Sequence, residues 1–213
     1  MIYKFLNSSI GRKILMSLTG FFLIVFLLTH LLVNLSLFLG EEAFNAACHF
    51  MSTNPVIQLM QYVLASGFII HIILGIVLTI RNNWSKPIRY GYNPYFKNYS
   101  WSSRNMLFTG LTVMLFIMIH MKDYFYPMKF GKMNGMTDYE LVVSLFKNPV
   151  YVLIYVTAFV MLGLHLNHGF QSAFQSVGLN HKKYTPVLKF LGKVYSIFIT
   201  LGFSSISIYF FFN

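Results

Sequence analysis

Five stretches of this 213-residue chain are each apolar for long enough to cross a lipid bilayer, and that pattern dictates most of what the chain can become. A hydrocarbon layer of about 30 Å takes about 20 helical residues at about 1.5 Å each. The qualifying runs are about 15–39, 57–80, 105–126, 149–171 and 187–212. Inside that layer backbone N–H and C=O groups have no water to bond, so each run closes its own hydrogen bonds as a helix. The expected fold is an all-α membrane protein, a bundle of five transmembrane helices forming a single transmembrane domain over 1–213. Residues 41–53 read as a short interfacial helix with Phe44, Ala47, Cys48 and Met51 on one side. No internal repeat or low-complexity tract stands out along the chain.

Composition supports a bilayer as the solvent. Charged residues are 10% of the chain, against about a quarter in a soluble domain. The net charge of +11 comes from basic residues that border apolar runs and form no separate polar domain. They fit membrane flanks, and nucleic acid is not an expected partner. The first run is longer than a signal-peptide core and no small-residue cleavage site follows it, so it reads as a retained span. The single cysteine, Cys48, rules out an intrachain disulfide and the C-x-x-C-H attachment of a covalent haem. It also rules out an iron–sulfur cluster held by this chain's thiolates alone.

Charge asymmetry gives an orientation. The N-terminus (Lys4, Arg12, Lys13), the second loop (Arg81, Lys86, Arg89, Lys97, Arg104) and the fourth (Lys182, Lys183, Lys189, Lys193) together hold twelve basic residues and no acid. Lys189 and Lys193 sit in the opening turns of the fifth run, where their stems can snorkel. The other side holds Lys122, Lys129, Lys132 and Lys147 with all five acids. The positive-inside rule then predicts a cytoplasmic N-terminus and an external C-terminus. The second loop, rich in Tyr, Trp, Pro and basic residues, suits an interfacial segment on anionic lipid or a docking surface for a soluble partner.

Away from their ends, four of the runs carry one histidine apiece: His30, His71, His120 and His165. A single intramembrane histidine is satisfied by a hydrogen bond to a neighbouring helix, but four on four helices point to function. Measured from the midpoint of each run, His30 lies ~4 Å and His120 ~7 Å toward the outside, while His71 lies ~4 Å and His165 ~7 Å toward the inside. Two pairs result, an outer one (His30 with His120) and an inner one (His71 with His165). Each pair suits bis-histidine ligation of one porphyrin iron, and haem b, held without covalent attachment, is the natural cofactor. A macrocycle also needs room. Gly67 and Gly75 flank His71, Gly163 and Gly169 bracket His165, and Thr109 with Gly110 lies eleven residues before His120, on nearly the same face.

Other residues compete or assist. His168, one turn after His165, is an alternative ligand or a propionate partner. His49 lies on the interfacial helix and His181 in the inner basic loop. Ser17, Arg12 and Arg104 sit near the inner ends of their spans, placed to pair with haem propionates.

Two segments carry a resemblance. The stretch His30-Leu31-Leu32-Val33-Asn34, followed by Ala43-Phe44-Asn45-Ala46-Ala47-Cys48-His49-Phe50-Met51, resembles the five-helix, di-haem cytochrome b subunit of bacterial succinate dehydrogenases and fumarate reductases. The segment His165-Leu166-Asn167-His168-Gly169-Phe170, with Ser172-Ala173-Phe174, looks like that family's fourth-helix ligand motif. The resemblance implies a membrane anchor in the bacterial inner membrane with two haem b groups. It also implies a flavoprotein and an iron–sulfur subunit docked on the cytoplasmic face, and a membrane quinone, expected to be menaquinone, as electron acceptor or donor. It implies the same pairing of histidines. Quinol-oxidising relatives carry a glutamate on the outer interfacial segment; Ser52 occupies its place here, and His49, one turn earlier, is the candidate substitute. Two further readings stay open: a di-haem cytochrome b of another quinone-linked dehydrogenase, and a haem-free anchor or transporter using histidines as proton or metal sites.

Overall fold

A computed structural model describes residues 8–84, 105–131, 133 and 135–213. The segment 85–104, which contains Arg104, lies outside the described residues. Five helices are long and apolar enough to span a membrane, and no strand occurs among the described residues. The first, α1 (Ser9–Leu35), runs into a 3-10 turn (Ser36–Leu39) and is followed by α2 (Glu41–Thr53) and α3 (Pro55–Trp84). Next come α4 (Met106–His120), a π-helical turn (Met121–Phe125) and α5 (Tyr126–Phe130), which together make the third span. A short α6 (Asp138–Phe146) precedes α7 (Pro149–Ser176) and α8 (Thr185–Phe212).

Local chemistry sets the ends. Ser8 accepts from the Gly11 amide at 2.9 Å, and Asn148 accepts from the Val150 amide at 2.9 Å with Pro149 in the first turn of α7. Both arrangements satisfy donors that a helix start leaves open. Gly40, at φ 101°, turns the chain from the first span into α2, a backbone conformation that a side chain resists. The interfacial helix matches its expected bounds. Helix α6 is an addition to the five spans and α2 read from sequence. A capping box specifies it, with the Glu140 amide donating to Thr137 Oγ1 (3.2 Å) and the Thr137 amide donating to Glu140 Oε2 (2.9 Å).

Helix α7 packs on α8, α1 and α4, while α1 also packs on α3 and α8. The interior is filled by Leu31, Tyr155, Phe159, Leu166, Ile199 and Phe203. Outward faces present Val25, Leu32, Ile69, Leu115, Leu153 and Leu201, as a lipid-facing surface requires. Because lipid tails are as apolar as leucine, close approach by small residues replaces hydrophobic drive. Gly163 faces Thr200 and the Ser196 carbonyl, and Gly202 faces Leu31. Tyr195 Oη donates to the Ile24 carbonyl at 2.6 Å, tying α8 to α1. At the far end, Lys129 Nζ donates to Gln58 Oε1 (2.6 Å) and Gln61 Oε1 (3.3 Å), and Thr137 Oγ1 donates to Glu41 Oε1 (2.8 Å). Those contacts clip α5 to α3 and α6 to α2.

Candidate cofactor site

The bundle holds its four span histidines in two groups. At the end where the chain terminates, the ring centres of His30 on α1 and His120 on α4 lie 5.8 Å apart with planes at 88°. Toward the end where the chain begins, His71 on α3 and His165 on α7 each face a threonine of the neighbouring helix, Thr19 of α1 and Thr109 of α4. All four rings are half-buried.

Each histidine of the first group has an aromatic neighbour one turn earlier. Phe26 stacks on His30 at 5.3 Å and Phe116 lies against His120 at 5.8 Å. Tyr124 and Tyr155 close the other side of His120 at 5.2 and 6.4 Å. The Nδ1 of His120 is buried without a hydrogen-bond partner. His30 Nε2 faces Asn34 Nδ2 at 3.5 Å, a distance too long for a strong bond.

The second group is held differently. Thr19 Oγ1 lies 3.1 Å from His71 Nδ1, and Thr109 Oγ1 lies 3.4 Å from His165 Nδ1. Each hydroxyl also lies within hydrogen-bond distance of carbonyls of its own helix: Thr19 of Leu15 and Met16 (both 3.0 Å), Thr109 of Met106 (3.1 Å). A hydroxyl that donates to such a carbonyl has its oxygen left to accept from Nδ1–H, the arrangement that leaves the lone pair on Nε2. Gly20 and Gly110 follow the two threonines; a Cβ built on them would stand 3.5 Å from His71 Cε1 and 3.2 Å from His165 Cε1.

These contacts expose an internal correspondence that does not stand out along the chain, and they correct the expectation of no repeat. Residues 16–30 and 106–120 share Met-x-x-Thr-Gly-x5-Phe-x3-His at identical spacing, as Met16, Thr19, Gly20, Phe26, His30 and Met106, Thr109, Gly110, Phe116, His120. The partner helices share His-x3-Gly, as His71 with Gly75 and His165 with Gly169. The contacts repeat as well. A Cβ on Gly75 would meet Met16 Cε at 3.6 Å, and one on Gly169 would meet Met106 Cε at 3.6 Å. Helices α1 and α3 are thus matched by α4 and α7, with α8 outside the correspondence. Thr19 carries no signal by itself; its signal is this spacing.

A pair of imidazoles sharing one iron at about 2 Å each has ring centres roughly 6 Å apart, and His30 with His120 fits that spacing. The His71–His165 pair fits by its donor set, two imidazoles whose Nδ1 atoms each face a threonine hydroxyl, which leaves Nε2 as the candidate ligand atom. Among the described residues no group of three or more His, Cys, Asp or Glu converges to hold a metal ion. Two axial imidazoles are what a porphyrin leaves for the protein to supply.

The remaining expected residues scatter. His168 is half-buried one turn beyond His165 and lacks the threonine contact that His165 makes. Ser17 is buried and donates to the Lys13 carbonyl at 3.0 Å, so its proton is committed to its own helix. Arg12 is partly buried one turn earlier on α1. His49 and Ser52 are exposed on α2, where Ser52 Oγ donates to the His49 carbonyl at 2.9 Å. Asp123, counted among the outer-face charges, is buried with Tyr124 in the π turn and accepts a long 3.5 Å contact from Tyr155 Oη. A π turn carries one more residue than an α turn, which swings adjacent positions inward together.

No family model and no solved structure matches the chain. Over 151 residues it is 23% identical to the succinate dehydrogenase cytochrome b558 subunit of Bacillus subtilis (strain 168), covering 70% of this chain and 69% of that protein.

Proposed function

We propose that this chain is the membrane anchor and electron-transfer subunit of a succinate:quinone oxidoreductase. The observation that carries the reading is the two-by-two arrangement of span histidines, and the similarity to a succinate dehydrogenase cytochrome subunit supports it. His30 and His120 would hold one b haem, and His71 and His165 the other. Bound haem supplies one-electron chemistry at each level of the bundle. The chain's own part is to fix the iron positions, to keep Nε2 of His71 and His165 available, and to keep water out with Phe26, Phe116 and Tyr155.

The basic side of the chain faces the cytoplasm of a bacterium and receives an iron–sulfur subunit that pairs with a flavoprotein. The dicarboxylate site lies on that flavoprotein. A membrane quinone, menaquinone in our reading, reacts near the end occupied by His30 and His120. Moving an electron across the bilayer is worth about 2.3 kcal/mol per 100 mV, so the net direction follows the membrane and quinone potentials.

Purification of the tagged chain from its own membrane tests the reading. Reduced-minus-oxidised spectra with dithionite and with succinate are expected to show b-type haem, with flavoprotein and iron–sulfur subunits co-purifying. Haem reduced by hydrogen or formate but not by succinate assigns the chain to another dehydrogenase. Absence of haem absorbance overturns the reading altogether.

A further inference from the structure

The structure assigns Thr19 and Thr109 as paired positioning residues that fix the proton of the His71 and His165 imidazoles on Nδ1, one threonine from each half of an internally duplicated four-helix unit. The inference rests on the haem reading of those histidines and concerns how this chain tunes one of its two sites. Three features carry it. Both hydroxyls lie within hydrogen-bond distance of Nδ1 across a helix interface, at 3.1 and 3.4 Å. Both have a carbonyl of their own helix at 3.0–3.1 Å to take the hydroxyl proton, which leaves each oxygen to accept from the ring. Both are buried, Thr109 at 0% and Thr19 at 9% exposure, which removes water as a competing partner.

The duplication makes coincidence a poor account. The same five-position pattern places the threonine against the neighbouring helix's histidine and, eleven residues on, places a histidine of its own in the other layer. Each of α1 and α4 therefore serves both levels, as support at one and as candidate ligand at the other. The His30–His120 pair has no equivalent clamp: His120 Nδ1 is without a partner and His30 Nε2 faces only Asn34. An imidazole whose Nδ1–H is donated to an oxygen is a stronger electron donor through Nε2 and favours the oxidised metal. The clamped site is accordingly the one whose potential is held down by this chain, and the two levels are made unequal by hydroxyls alone.

Redox titration of the purified complex, followed by visible absorbance and by low-spin EPR, reads the effect in Thr19→Val, Thr109→Val and their serine counterparts. The valine variants are expected to raise the midpoint of one haem, the same one in both, while the other stays fixed; serine restores it. Transfer of that haem to apomyoglobin is expected to quicken about tenfold in the valine variants. Valine variants that lose one haem while serine variants keep two give the same answer. Loss in both, or two haems with unmoved midpoints, overturns the assignment and leaves the functional reading intact. An unmodified chain without haem overturns both.

Discussion

His30 and His120, from the first and third spans, bring their ring centres to 5.8 Å with planes nearly perpendicular. Two imidazoles on one axial line through a metal can rotate freely about it, so the perpendicular planes suit shared ligation as well as parallel ones do. The contact is also specific, since each ring is backed by a phenylalanine one turn earlier.

Removal of either member should therefore delete one and the same haem. His30→Ala and His120→Ala are expected to leave about half the reduced-minus-oxidised absorbance, with the same haem surviving in both. His71→Ala and His165→Ala are expected to leave the complementary half. Potentiometric titration of the four variants identifies the survivor. Two variants of one pair retaining different haems would break the assignment.

The spans were legible because burial in lipid writes an unambiguous signal, a run of apolar residues as long as the bilayer is thick. The histidines were legible because ionisable groups are rare there. What escaped reading depended on neighbours across helix interfaces. Thr109 drew notice as a small residue on the His120 face, yet its hydroxyl serves His165 on another helix, a relation that no single-helix spacing contains. Thr19, the same residue at the same spacing, gives no signal of its own. In sequence Asp123 reads as one of the outer-face charges, because α-helical periodicity does not foresee a π turn. Helix α6 is too short for a hydropathy signal, although Thr137-x-x-Glu140 announces its start. Gly163 reads in sequence as one of the glycines that bracket His165, whereas it faces Thr200 on α8.

That last contact gives a packing test. A Cβ on Gly163 collides with Thr200 Oγ1, which donates to the Ser196 carbonyl at 2.8 Å and to the Phe159 carbonyl at 3.3 Å. Gly163→Ala is expected to destabilise the chain by roughly 1–3 kcal/mol through overpacking. The double variant Gly163→Ala/Thr200→Ala should recover most of that, because the colliding atom is gone. Thermal unfolding in one detergent compares the three. No recovery in the double variant places the collision elsewhere.

A smaller effect is expected at Tyr195, whose hydroxyl donates to the Ile24 carbonyl. Tyr195→Phe keeps the ring against Phe170 and removes only the bond. Interhelical hydrogen bonds in membrane bundles average about 0.6 kcal/mol and rarely exceed about 2, so the variant should fold, keep its haems and unfold slightly earlier. Loss of the bundle in Tyr195→Phe would show that α8 is held to α1 by far more than packing.

Outside the spans, α2 packs on α6, with Cys48 of α2 near the Asp138 carboxylate at the start of α6. Burial first, and the neighbouring carboxylate second, push the thiol up to about 12. Burial likewise raises Asp138, opposed by the thiol's hydrogen bond. An ordinary thiol near about 8.5 is largely ionised at pH 9.5, and only the thiolate alkylates. Cys48 should then react with iodoacetamide on the order of a hundredfold more slowly than a cysteine peptide at that pH. Asp138→Asn removes the second cause and leaves burial, so the rate should rise part of the way and no further. Because the folded thiol titrates above the unfolded one, its contribution to stability is complete below the ordinary thiol range. It is lost as pH rises toward about 12. Thermal unfolding from pH 8 upward should fall more steeply for the parent than for Cys48→Ala, which has no proton to lose. Equal slopes, or a thiol as reactive as the free peptide, would mean that α2 and α6 do not meet at this pair.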